Sequence, residues 1–265
     1  MTVSASYFDG MYAGSPDPWG FASRWYEARK YAITVAMLPE ERYGDAFEPG
    51  CSVGVLSDLL ASRCERLLCC DIAPAAVKSA AQRTAARGNV RVQQRALPQD
   101  WPAGQFDLIV LSEILYYFAG TDLDHVLDLT AAALRPGATL LAVHWRHPVA
   151  EYPRSGDNVH AALAARPELT RLAEHAEPDF IAEAYLAGRE RPASVAAAEG
   201  LVANGDGRPG DWMAGGRRGT QARPPAWPPR ETGECRHPAV LGPARLGSRG
   251  EHPHAEGAGD GNDHT

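Results

Sequence analysis

Asp45-Ala46-Phe47-Glu48-Pro49-Gly50-Cys51-Ser52-Val53-Gly54 runs as a strand, a bend at Gly50 and the start of a helix. A second apolar run then ends in a carboxylate at Asp71. A glycine at the bend removes the side chain that would separate backbone from ligand. The helix that follows offers unpaired N–H groups to a carboxylate or phosphate. Asp71 stands 21 residues after Gly50, the spacing at which a ribose diol is gripped in nucleotide-binding crossovers. The stretch therefore predicts an adenosyl ligand at the carboxyl edge of a parallel sheet.

Two adenosyl ligands compete for that edge. A dinucleotide site takes G-x-G-x-x-G, whose second glycine lets backbone approach a pyrophosphate. Here Ser52 holds that place, and Glu48 repels a pyrophosphate while suiting an ammonium group. E-P-G-C-S-V-G over 48–54 resembles motif I of the class I S-adenosylmethionine (SAM) methyltransferases, whose loop holds the methionine moiety. A G-x-x-x-G turn alone fits any α/β domain; the acid before it and the Asp71 spacing make the pattern specific. The resemblance implies SAM as cofactor and a class I fold: a doubly wound, Rossmann-like α/β sheet of seven strands, the last two forming an antiparallel edge hairpin.

Composition narrows the partners. The 62 residues from Asn204 to Thr265 include 13 Gly and 8 Pro, with Val240, Leu241 and Leu246 as their branched aliphatics. Such a stretch buries too little apolar surface to offset its chain entropy, so residues 204–265 are expected to be a disordered tail. Lys30 and Lys78 are the only lysines in the chain, an arginine bias expected of a GC-rich gene. A shifted reading frame in such a gene would yield a similar tail. The tail's eight Arg balance its eight acids, so the net charge of −7 belongs to the preceding residues. No basic stripe offers itself to nucleic acid. The five cysteines show no metal-binding spacing, and no metal site is expected. No leader or membrane-length apolar run is present, so a cytoplasmic location and no membrane partner are expected, with the chain acting as a monomer.

The hydrophobic periodicity predicts alternating helices and strands. Phe21, Trp25, Ala28, Ala32 and Val35 define a helix that stops before Pro39. Strands follow at Asp45–Phe47, Arg66–Cys70, Val90–Gln93, Phe106–Leu111 and Ala138–Trp145. Between them, Leu56, Leu59 and Leu60 mark one helix, and Pro74 opens another that Gly88 closes. Thr121 is expected to cap a helix that Pro136-Gly137 ends. A helical stretch near Asn158–His175 precedes strands at Phe180–Leu186 and Ser194–Val202, completing the fold by Ala203. Such alternation predicts right-handed parallel crossovers.

Ligands of such sheets sit outside the strands' carboxyl ends, where the strand order reverses. The expected cofactor-binding residues there are Glu48, Gly50, Cys51, Gly54, Asp71 and Ile72, with Leu97 beside adenine and Ser112 and Ile114 after the fourth strand. Ala96 cannot receive the adenine amino group, as an acid at that point would, and Asp100 lies further on. Tyr12, Tyr116 and Tyr117 are expected to line the acceptor side, where aromatic faces suit a sulfonium. Glu113 and His144 are the candidates to take a proton from an ammonium acceptor. Each also fits a structural role, Glu113 as an orienting acid and His144 as a partner for a loop.

Tyr7-Phe8-Asp9-x-Met11-Tyr12, Asp17-Pro18-Trp19-Gly20-Phe21 and Trp25-Tyr26-Glu27-x-Arg29-Lys30 closely resemble the opening of the nodulation protein S (NodS) methyltransferases. Leu97-Pro98-x-Asp100-Trp101-Pro102 and Phe106 through Tyr117 continue the likeness, which runs to Val202. By this resemblance, residues 1–40 form a helical lid over the cofactor, and 41–203 form the methyltransferase domain. Trp19 would cover the cofactor, and Arg29 would meet its methionine carboxylate. Trp25 is read as packing on the apolar helix face. The family implies N-methylation of an amino sugar or oligosaccharide acceptor. An O-methyltransferase acting on a small molecule, or a SAM-binding protein without turnover, are the alternatives.

Overall fold

The computed structural model describes residues 1–188 and 193–202. Expectations for the 204–265 tail fall outside them. Seven strands, β1 (Tyr43–Pro49), β2 (Cys64–Asp71), β3 (Val90–Gln94), β4 (Phe106–Ser112), β5 (Leu134–Trp145), β6 (Leu169–Ala176) and β7 (Phe180–Ala187), form one sheet. Its order is β3-β2-β1-β4-β5-β7-β6. The first five strands run parallel, and β7 is antiparallel to both β5 and β6. This is the doubly wound sheet with an antiparallel edge that the sequence predicts.

The helices are α1 (Ala5–Gly14), α2 (Trp25–Ala36), α3 (Val55–Leu60), α4 (Pro74–Arg83), α5 (Thr121–Ala133), α6 (Gly156–Ala164) and a single turn, α7 (Val195–Ala198). Successive strand residues point to opposite faces. Ile109 and Leu111 pack with Leu123, Val126 and Val159 of α5 and α6, while Leu108 and Val110 pack with Tyr31, Leu56 and Leu60 of α2 and α3. Both faces are thus dry, which explains the nearly continuous apolar run of β4. Each such buried aliphatic contributes about 1.5–3 kcal/mol.

The edge hairpin lies earlier in the chain than the sequence suggests. Arg166-Pro167 follows α6, and a residue before proline disfavours helix. The next residues form β6, which turns at Pro178-Asp179 into β7. Arg171, Glu174 and His175 on this edge strand obscure its strand character in the sequence. Ser194–Val202 is not a strand. Ser194 accepts the Ala197 N–H and caps α7, a turn of good helix formers.

Smaller differences have similarly local causes. Helix α1 carries few regularly spaced apolar residues, and the periodicity misses it. Helix α2 starts at Trp25, which is 79% exposed and does not pack. Leu59 is also exposed. Helix α4 ends at Arg83 rather than near Gly88, and Thr121 opens α5 without capping it. Pro136-Gly137 falls inside β5, within a register shift where Phe106 faces Leu134 and Leu108 faces Thr139.

Candidate active site

The strand order reverses between β1 and β4, and a cleft of about 990 Å³, open mouth included, lies there. Its floor is the bend after β1. The N–H groups of Gly50 and Cys51 both donate to the Cys70 carbonyl, at 2.7 and 3.0 Å, clamping the bend to β2. Gly50 has φ +72°, and a Cβ there would stand 2.9 Å from Ile114 Cδ1. Gly54 has φ +77°, but its missing Cβ makes room for Ala80 Cα at 2.8 Å. Gly54 therefore serves the packing of α3 on α4 and does not line the cleft.

Two carboxyl groups flank the floor. Glu48 is buried, and Cys69 Sγ donates to its Oε2 at 3.3 Å. Burial pushes this carboxyl up to about 7, and no cationic side chain among the described residues offsets it. Asp71 Oδ2 accepts the Ser52 N–H at 2.9 Å, and Oδ1 accepts the Ala73 N–H at 3.0 Å. Burial outweighs those bonds and raises its pKa. Each Asp71 oxygen retains a further acceptor position.

The wall after β4 is built around Glu113, whose φ of +56° is uncommon for a residue with a side chain. Its Oε1 accepts from Lys30 Nζ at 2.7 Å, and its Oε2 accepts from the Tyr116 hydroxyl at 2.5 Å and the Trp145 N–H at 3.0 Å. Lys30 is buried, lies 2.9 Å from Glu27 Oε2, and sits over the Tyr26 ring at 5.2 Å. Burial opposes its charge, but Glu113 and Glu27 together outweigh that and raise its pKa. Three of Glu113's lone-pair positions are taken, leaving one on Oε1.

The N-terminal segment crosses the cleft's mouth. The Val3 N–H donates to the Tyr117 carbonyl at 2.9 Å, and the Tyr12 hydroxyl lies 2.6 Å from Ser52 Oγ. Trp19 meets Tyr12 edge-on and stacks on Phe21, with ring centroids 5.7 and 5.5 Å apart.

Most of the expected site residues converge on this cleft. Glu48, Gly50, Cys51, Asp71 and Ile72 line it from β1 and β2. Leu97, Ser112, Glu113, Ile114 and Tyr117 line it after β3 and β4, and Tyr12 and Trp19 from the N-terminal segment. Four expected residues lie elsewhere. Besides Gly54, Arg29 forms a two-pronged ion pair with Glu177 at 2.8 and 2.7 Å and does not line the cleft. Tyr116 is buried behind the wall with its hydroxyl on Glu113. His144 is fully buried, and its Nε2 accepts the Leu115 N–H at 3.2 Å. Burial pushes its pKa well down, and it does not line the cleft. Asp100 accepts the Ala96 N–H at 3.0 Å and does not line the cleft.

The sequence reading missed Lys30, Phe8, Phe21 and Tyr31 as site residues. Phe8, Phe21 and Tyr31 line the cleft, and Lys30 stands behind them. One signal for Lys30 was available: it is one of two lysines in the chain and lies three residues after Glu27. No metal-holding group of His, Cys, Asp and Glu occurs among the described residues, and no described helix is long and apolar enough to cross a membrane.

The sheet order and the cleft at its reversal define a class I methyltransferase fold. The model of the nodulation protein S (NodS) family matches residues 13–151, and the chain belongs to that family. Nodulation protein S of Bradyrhizobium diazoefficiens is 31% identical over 129 residues, covering 47% of this chain and 61% of that protein. Its counterpart in Rhizobium tropici is 29% identical over 102 residues, covering 38% of this chain and 43% of that protein. The match thus spans about half the length of these curated relatives. A crystal structure of a candidate methyltransferase from Pseudomonas syringae is 49% identical, with a TM-score of 0.56, covering 62% of this chain and 99% of that one. N-methyltransferase NodS from Bradyrhizobium japonicum WM9, solved with S-adenosyl-L-homocysteine, shares the fold at 22% identity and a TM-score of 0.63, covering 70% of this chain and 99% of that one.

Proposed function

We propose that the chain is a SAM-dependent methyltransferase that methylates the amine of an amino sugar or the terminal amine of an oligosaccharide. One observation carries the cofactor assignment: Glu48 is a buried carboxyl, raised to about 7, at a backbone bend with no cation beside it. The ammonium of a methionine moiety is the partner such a group lacks. Asp71 retains an acceptor position on each oxygen for a ribose diol. Ile72 and Leu97 offer apolar sides for adenine, and Trp19 and Tyr12 cover the same space. Bound there, SAM supplies an electrophilic methyl group, which an acceptor nitrogen takes by in-line displacement while sulfur keeps the electron pair.

The residues of the chain align, shield and orient. Phe8, Phe21, Tyr31, Tyr117 and Phe118 keep the far end of the cleft apolar. Alignment in such a dry site can supply about 7–11 kcal/mol of the barrier reduction. Glu113 orients the acceptor: its one open position on Oε1 can accept a hydrogen bond from an acceptor N–H or O–H. With His144 buried elsewhere, the acceptor enters as its neutral amine and releases its second proton to solvent. The segment from Val3 to Phe21 acts as a lid that opens for exchange. The relative solved as an N-methyltransferase supports nitrogen as the nucleophile.

The test is product analysis. The protein is incubated with SAM and fully deacetylated glucosamine oligomers, and products are fragmented by mass spectrometry. One methyl group on the terminal nitrogen is expected. Methylation on oxygen, or equal methylation of fully acetylated oligomers, contradicts the amine assignment.

A further inference from the structure

A chain of buried polar groups runs under the cleft wall through residues that the reaction does not touch. His144 Nε2 accepts the Leu115 N–H at 3.2 Å. His144 Nδ1 stands 3.1 Å from His160 Nε2, and His160 Nδ1 stands 2.5 Å from Glu183 Oε2. The Tyr185 hydroxyl donates to the same Glu183 oxygen, and Arg171 donates to the other. His144, His160 and Glu183 are all buried, and they come from β5, α6 and β7.

The direction of these bonds is determined from one end. A backbone amide can only donate, so His144 Nε2 carries no proton. The proton of a neutral His144 therefore sits on Nδ1 and points at His160 Nε2. His160 Nε2 must then accept, which puts a proton on its Nδ1, facing Glu183. A deprotonated Glu183 is the anchor, and burial of His144 keeps that ring neutral. An unpaired buried polar group is costly, and here every member of the chain has a partner.

Leu115 opens the short 3-10 turn Leu115–Tyr117. That turn carries Tyr117, which lines the cleft, and its carbonyl receives the Val3 N–H of the crossing segment. We propose that His160 is a positioning residue: by fixing the tautomer of His144 it holds the Leu115–Tyr117 turn, and with it the wall at the acceptor end of the cleft. The acceptor end takes its meaning from the methyltransferase reading; the tautomers and the turn do not depend on it.

The test is nitrogen-15 NMR on the full chain. Long-range spectra are expected to find both His144 and His160 protonated at Nδ1; a proton on Nε2 alone in either ring overturns the proposal. His160→Leu should speed amide exchange at Leu115 about tenfold, the factor one lost hydrogen bond carries, while exchange at Gly50 stays as in the wild type. His160→Gln, which can still accept from His144 and donate to Glu183, should restore protection at Leu115. Unchanged exchange at Leu115 in His160→Leu, or equal acceleration at Gly50, contradicts the positioning role. If His160→Leu does not fold, the wild-type tautomers decide. S-adenosylhomocysteine binding by the wild type is measured separately, and its absence counts against the methyltransferase reading alone.

Discussion

Glu113 and Lys30 form a 2.7 Å ion pair behind the cleft wall, with 2% of the Lys30 side chain and 12% of the Glu113 side chain exposed. The pair ties α2 to the end of β4, and Glu27 adds a second carboxylate to the same ammonium. Removing one member of a buried pair leaves an uncompensated charge. Lys30→Met is therefore expected to destabilise the fold by about 3–5 kcal/mol in urea unfolding. A loss below about 1 kcal/mol, the range of exposed pairs, would mean that water reaches the site.

Asp71→Ala is expected to weaken S-adenosylhomocysteine binding by about 1.5–3 kcal/mol in calorimetric titration, the range for hydrogen bonds to a charged group. The variant also frees the Ser52 and Ala73 N–H groups, so its melting temperature is measured alongside. Unchanged affinity would remove Asp71 from the ribose site.

In the proposed function, Glu48 links cofactor affinity to pH. Its native pKa, about 7, lies above the ordinary carboxylate range, so the folded protein holds a proton that the unfolded chain has lost. The stability contributed by this group is complete below that range and is lost as pH rises toward 7. An incoming ammonium needs the carboxylate instead, and neither Asp71 nor the Cys69 thiol nearby supplies a positive charge. Affinity for S-adenosylhomocysteine is expected to rise as pH climbs through about 7, with proton release seen by calorimetry in buffers of different ionisation enthalpy. Glu48→Gln should flatten the profile; an unaltered profile assigns the pH dependence elsewhere.

Gly54→Ala places a methyl group 2.8 Å from Ala80 Cα at φ +77°. The left-handed conformation alone costs about 1–2 kcal/mol, and displacement of α4 adds to it. Gly88→Ala, where nothing lies within 4 Å, is the matched control and should be nearly neutral in thermal unfolding.

The sheet was legible because its central strands are buried on both faces and their apolar runs are nearly continuous, as in Phe106–Leu111 with Asp107 its one polar residue. The hairpin was misplaced because β6 is an exposed edge whose Arg171 and Glu174 resemble a solvated helix. At the site, Gly50, Glu48 and Asp71 were readable from local chemistry: a bend, an acid and a fixed spacing. Arg29, Tyr116 and His144 were not, since their partners Glu177, Glu113 and His160 lie 148, 3 and 16 residues away and side-chain direction decides each pairing. Trp25 illustrates the same limit: its spacing matches the apolar face, yet it occupies the first position of α2, outside the packed layer.

The most direct measurement is a crystal structure of the chain soaked with S-adenosylhomocysteine. The account predicts density along the cleft, with the amino group against Glu48, the backbone bend at Gly50 beneath the amino-acid portion, and both ribose hydroxyls on Asp71. Ligand bound elsewhere, or a cleft that stays filled by the protein's own side chains at saturating ligand, would contradict it.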